Sequence, residues 1–148
     1  MRRVELLLHQ RVEAELRIVR GRHRKYVGAA DTAIRKLMAD PRGTGPPLRG
    51  ITNPELQGNV RKLDVGGRRG YRLFYWVTPP RKDTGVDLVV PLFVSDEPRT
   101  RFDYDDVDVN VVGMDIVDDF RSGRFDRFTR FRDSGLLISF LTAEPKVS

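Results

Sequence analysis

The chain has 148 residues, 39% hydrophobic and 32% charged, the size and composition of one globular domain. No run approaches the length of a membrane span, and the apolar run after Met1 is too short for a secretory leader. There is no cysteine, which excludes disulfides, thiolate catalysis and cysteine-ligated metal and predicts a cytoplasmic protein. Charge is unevenly spread: residues 1–72 carry 17 basic and 7 acidic side chains, and residues 73–148 carry 10 and 14. A basic half predicts a polyanionic partner, of which nucleic acid is the commonest.

The first periodic segment places Leu8, Val12, Leu16 and Val19 at helical spacing. Val4 to Leu8 either opens that helix or forms a short strand before it. Arg20-Gly21-Arg22-His23-Arg24-Lys25 follows as a dense basic stretch. A second helical stripe, Ala30, Ala33, Ile34, Leu37 and Met38, stops at Asp40-Pro41, because proline disfavours helix in the residue before it. His9 and His23 read as solvated helix residues, and two histidines exclude a mechanism built on several.

Residues 41–58 hold four prolines and four glycines and read as a loop. Arg61 to Val65 alternates as a strand, with Leu63 and Val65 on one face and Lys62 and Asp64 on the other. Gly66 to Gly70 is a hairpin connection. Tyr71 to Val77 is the clearest strand. Its face bearing Tyr71, Leu73 and Tyr75 reads as core, and Arg72, Phe74 and Trp76 share the other. Val86 to Val94 is a strand covered on both sides, with a bulge or break expected at Pro91.

Residues 102–120 contain seven Asp and no base. Neither frame of these acids supplies the glycine and glutamate of a calcium loop, so no metal is expected. Met114 to Phe120 reads as a short helix. Phe125, Phe128 and Phe131 read as one helix face, with base stacking between arginines as the alternative. Leu136 to Leu141 is a last strand or an apolar tail.

The middle of the chain resembles a known family. Asp40-Pro41-Arg42, Leu48-Arg49-Gly50, Arg61-Lys62-Leu63-Asp64-Val65-Gly66 and Tyr71-Arg72-Leu73-Phe74-Tyr75 follow one another at short spacings. Over about residues 30–95 this pattern is similar to the RelE/ParE superfamily of bacterial toxins. The resemblance implies an α+β fold, two N-terminal helices packed on a small antiparallel sheet, in a single domain over 1–148. The core covers about 1–104, and a C-terminal helical extension about 105–148.

The same resemblance implies a metal-independent endoribonuclease toxin that cleaves messenger RNA on the ribosome, without cofactor and neutralised by an antitoxin protein. The 2′-hydroxyl attacks the adjacent phosphate, which calls for proton transfer and for cations around the crowded charge. By the motif, Arg72 would bind the scissile phosphate, and Lys62 or Arg61 would stabilise developing charge. Which of the two points inward depends on strand register. Arg99 or Arg101 would supply a second arginine and Tyr104 the tyrosine. Asp96 and Glu97 stand where the family carries cations. That departure keeps open a non-catalytic relative, either a gyrase-directed toxin of the ParE kind or a phage- or ribosome-associated binding protein. The polyanion surface is expected at Arg20, Arg22, Arg24, Lys25, Arg68 and Arg69, beside Lys62 and Arg72.

Overall fold

The computed structural model describes residues 3–48, 50–54, 56–78, 85–96 and 109–143. Strand β1 (Arg3–His9) leads into helix α1 (Gln10–Arg22), a 3-10 turn (Arg24–Tyr26), helix α2 (Val27–Ala39) and the one-turn helix α3 (Pro41–Thr44). Strands β2 (Val60–Val65), β3 (Tyr71–Val77) and β4 (Val86–Ser95) follow. A π-helical turn (Val109–Gly113) runs into helix α4 (Met114–Arg121), and the chain continues with strand β5 (Phe128–Phe131) and helix α5 (Ser134–Thr142).

The result is a mixed α+β fold around one five-stranded sheet of order β2-β3-β4-β1-β5. The expected sheet was antiparallel, but β1 lies parallel to β4, with Leu6 opposite Val89. The segment between them carries both helices and the β2–β3 hairpin, so β1 and β4 run the same way as the two sides of a crossover. Leu6, Leu7 and Leu8 are all buried, because β1 is a central strand covered on both faces. Their unbroken apolar run therefore has no period to read.

Helices α1, α2 and α5 cover one face of the sheet, and the π-helical turn with α4 covers the other. On the first face, Leu16, Ile34 and Leu37 meet Leu6, Leu8, Leu63 and Leu73, and Leu137 and Leu141 of α5 close the layer. On the second, Trp76 packs edge-on against Phe120 with ring centroids 5.4 Å apart.

The expected irregularity at Pro91 is a bulge. Tyr75 pairs with Pro91 and Phe74 with Phe93, leaving Leu92 as the extra residue. Leu92 is buried against Gly113, where an added Cβ would lie 3.3 Å from the Leu92 Cβ.

The C-terminal region departs from its sequence pattern. Phe125, Phe128 and Phe131 form no helix face. Phe125 lies in a 3-10 turn, and Phe128 and Phe131 fall on opposite faces of β5, as a spacing of three requires in a strand. Phe131 packs against Phe140 of α5, whereas Phe128 meets His9 and Phe120. Leu136 to Leu141 belongs to a helix, capped by Asp133, whose side chain accepts from the Leu136 amide. The region expected as an extension thus supplies an edge strand of the central sheet.

Candidate nucleic-acid interface

Two basic segments far apart in sequence meet at one end of the sheet. The first is the end of α1 and the turn after it, with Arg22, Arg24 and Lys25 exposed. The second is the β2–β3 hairpin, whose turn Gly67–Arg69 exposes Arg69. Gly66, at φ +78°, lies flat on the Tyr26 ring, where an added Cβ would come within 2.7 Å of Cγ. The His23 ring sits 6.0 Å from Tyr26 and 5.8 Å from Tyr71. His23 Nε2 lies 2.5 Å from Asp96 Oδ1, just past the end of β4, and Arg22 Nη1 donates to the other oxygen at 3.3 Å. Only glycine combines that backbone angle with so close an aromatic ring, which is how the hairpin reaches the helix end.

Within this end the predicted residues differ in kind. Arg20 is buried. Its Nη1 donates to Asp31 at 3.0 Å and its Nη2 to Thr142 at 3.4 Å, tying α1 to α2 and α5. It therefore serves as a packing arginine, in contrast to the expected phosphate contact. Arg22, Arg24, Lys25 and Arg69 present their charge to solvent, with the Lys25 ammonium 5.1 Å from the centre of the Tyr26 ring. The side chain of Arg68 lies outside the described residues.

The β2 register separates the adjacent cations. Lys62 pairs opposite Phe74 and shares the face of Arg72, whereas Arg61 pairs opposite Tyr75 on the helix side. Arg61 Nη1 donates to the Gly45 carbonyl at 2.6 Å, so it anchors the loop after α3. Lys62 is half-buried at the β2 edge, where it lines a groove of 490 Å³ with Lys36 and Asp64. Arg72 is only 6% exposed, where the motif called for a solvent-facing group. Its Nη2 donates to Ser95 Oγ at 3.1 Å, across the β3–β4 pairing that sets the two residues side by side. Arg99, Arg101 and Tyr104 lie outside the described residues.

The strand tyrosines are structural. Burial pushes the Tyr75 phenol up to about 12, and its hydroxyl donates to the Pro41 carbonyl at 2.9 Å. Burial likewise raises Tyr71. Neither loses a proton near neutrality.

Both histidines depart from the expected solvated positions. His23 joins Asp96 as above. His9 is buried, accepts from the Arg11 amide through Nδ1 at 3.1 Å, and faces Asp119 Oδ2 through Nε2 at 2.8 Å. Asp119 also accepts from Arg127 at 2.9 and 3.0 Å. The hydrogen bond from His9, then that from Arg127, holds its carboxyl below the usual range. Among the described residues, no group of three His, Asp or Glu side chains is arranged to hold a metal ion, and no helix is long and apolar enough to cross a membrane.

No family model, curated protein or solved structure matches this chain.

Proposed function

We propose that this chain is a RelE-like ribonuclease toxin that binds messenger RNA across the basic end of its sheet and cleaves it without metal. One observation carries the reading. Arg22, Arg24 and Lys25 are brought beside the hairpin bearing Arg69 and the strand bearing Arg72 by the Gly66–Tyr26 and His23–Tyr71 contacts. Such a patch neutralises several phosphates of one strand. In this reading Arg72 exchanges its bond to Ser95 for the scissile phosphate as a bidentate donor, and Lys62, on the same sheet face, offsets charge on the attacked phosphate. The remaining roles fall to Arg99 or Arg101 and to Tyr104, and an antitoxin protein covers the basic end when the toxin is held inactive.

A second reading has an observation in its favour. Arg72 is buried and already bonded to Ser95, which suits a relative that binds polyanions at the exposed cations without cleaving them. The deciding experiment incubates the protein with free messenger RNA and with translating ribosomes, each with and without EDTA. Cleavage that persists in EDTA and falls about a hundredfold in Arg72→Lys supports the enzyme. Salt-sensitive RNA binding without cleavage in either setting supports the binding protein.

A further inference from the structure

A second surface, at the opposite sheet edge from β2, combines an exposed aromatic ring with unneutralised arginines. Residues 121–132 hold five arginines and a single acid, interleaved with Phe125, Phe128 and Phe131. Of these, Arg127 bonds to Asp119, Arg132 Nε lies 3.2 Å from the buried Glu5, and Arg121 is engaged as well. Arg124 and Arg130 are exposed, and among the described residues neither forms an ion pair. Arg130 borders a groove of 440 Å³ whose floor is Leu7 and Leu88 of the sheet and whose wall is Phe120 and Phe125.

Phe125 leaves 57% of its surface in water. It is nevertheless fixed in place. Helix α4 ends at Arg121, Gly123 turns the chain at φ +73°, and the turn folds Phe125 back until its ring stands 6.0 Å from Phe120, near perpendicular. Phe120 is itself clamped between Trp76 and Phe128. An exposed aromatic packed on an aromatic support, with the exposed Arg124 next to it in the chain and Arg130 bordering the same groove, has the make-up of a base-stacking platform.

We infer that this groove binds single-stranded RNA, with a base stacked on Phe125 and the flanking phosphates paired with Arg124 and Arg130. The charge decides for a polyanion, and the exposed ring decides for a strand whose bases are unpaired. The choice of RNA rests on the function proposed above. The platform stands on its own residues, with Arg130 on β5 three strands from β3 and Arg72 in the sheet order.

The test measures fluorescence anisotropy of a labelled oligouridylate and of an abasic strand of equal length, at low salt. Phe125→Ala should weaken the oligouridylate about tenfold, the loss of one stacked base, leave the abasic strand within twofold, and melt at the wild-type temperature. Phe125→Trp should restore binding. Replacing Arg22, Arg24 and Lys25 together with Ala separates the two surfaces. If that triple variant abolishes oligouridylate binding and Phe125→Ala leaves it unchanged, the inference is overturned and the proposed interface stands. If Phe125→Ala alone weakens it, the platform stands without the basic end. Equal losses for uridylate and abasic strand would overturn stacking, as would a groove that takes poly-aspartate and no RNA.

Discussion

His9 and Asp119, 110 residues apart in the chain, meet with Nε2 and Oδ2 at 2.8 Å. The contact joins the end of β1 to α4 and so ties the two faces of the fold through the central strand. His9 Nδ1 accepts from the Arg11 amide at the start of α1, which places the ring proton on Nε2 and makes that nitrogen the donor to Asp119. One side chain thus caps a helix and anchors the C-terminal region. His9→Ala removes both, and the lost cap alone should cost about 1 kcal/mol in urea melts. His9→Asn keeps a capping oxygen and should recover part of that loss.

The same pair predicts an acid response. The hydrogen bond from His9, followed by that from Arg127, lowers the Asp119 pKa in the folded protein. A carboxylate held below its unfolded value, which is about 3.9 for Asp, contributes stability above that value. The contribution disappears as pH falls through the lowered folded value. Wild type should therefore exceed Asp119→Asn in stability near neutrality, and the gap should narrow as urea melts are taken into the acid range. A constant gap at all pH values would show that the ionised carboxylate contributes nothing.

Arg72 and Ser95 predict a structural cost that a solvent-facing arginine would not have. The guanidinium is buried with its bond to Ser95 Oγ at 3.1 Å. Ser95→Ala removes one hydrogen bond to a buried guanidinium and should cost about 1–2 kcal/mol in denaturant melts. Arg72→Ala should destabilise as well. Activity loss in Arg72→Ala is thus meaningful only beside its melting curve, and Arg72→Lys, which keeps the charge and loses the fork, is the more informative variant.

Much of this fold is legible in the sequence, for reasons visible in individual residues. Ala30, Ile34, Leu37 and Met38 are the buried stripe of α2, Gly66 and Gly67 turn the hairpin at positive φ, and Pro91 lies beside a bulge. Strand β1 is not legible, because burial on both faces erases alternation. Arg20 hides within a run of cations, yet it stands four residues after Leu16 on the buried stripe of α1, a spacing that marks it for the core. The pairing of His9 with Asp119, and of His23 with Asp96, depends on tertiary contacts that no local pattern carries. The convergence of residues 22–25 with 66–72 is equally non-local, although both segments are recognisably basic.

Gly66 is predicted to control that convergence. Alanine at φ +78° costs about 1–2 kcal/mol from the backbone alone, and its Cβ would strike the Tyr26 ring. Gly66→Ala should therefore destabilise the protein and also weaken RNA binding by moving the hairpin away from the helix end. In a Tyr26→Ala background the ring is gone, so the added cost of Gly66→Ala should shrink to the backbone part. A double-mutant cycle in thermal or urea melts reads the difference directly.

The exposed and buried cations of the basic end should separate in their salt dependence. For a single-stranded ligand each phosphate contact contributes about 0.7 to the slope of log K against log salt. Replacing Arg22, Arg24, Lys25 and Arg69 with Ala, one at a time, should lower that slope by about that amount per residue actually engaged, with melting temperatures unchanged. Arg20→Ala should do the reverse. Its guanidinium is buried and pairs with the half-buried Asp31 at 3.0 Å, so removing it should cost about 1–2 kcal/mol of stability and leave the slope of the remaining folded protein as it was. Isotherms collected at several salt concentrations, paired with urea melts, place every variant on both axes. If the four exposed cations leave the slope untouched while binding persists, the strand runs elsewhere, and the basic end is a solvated surface.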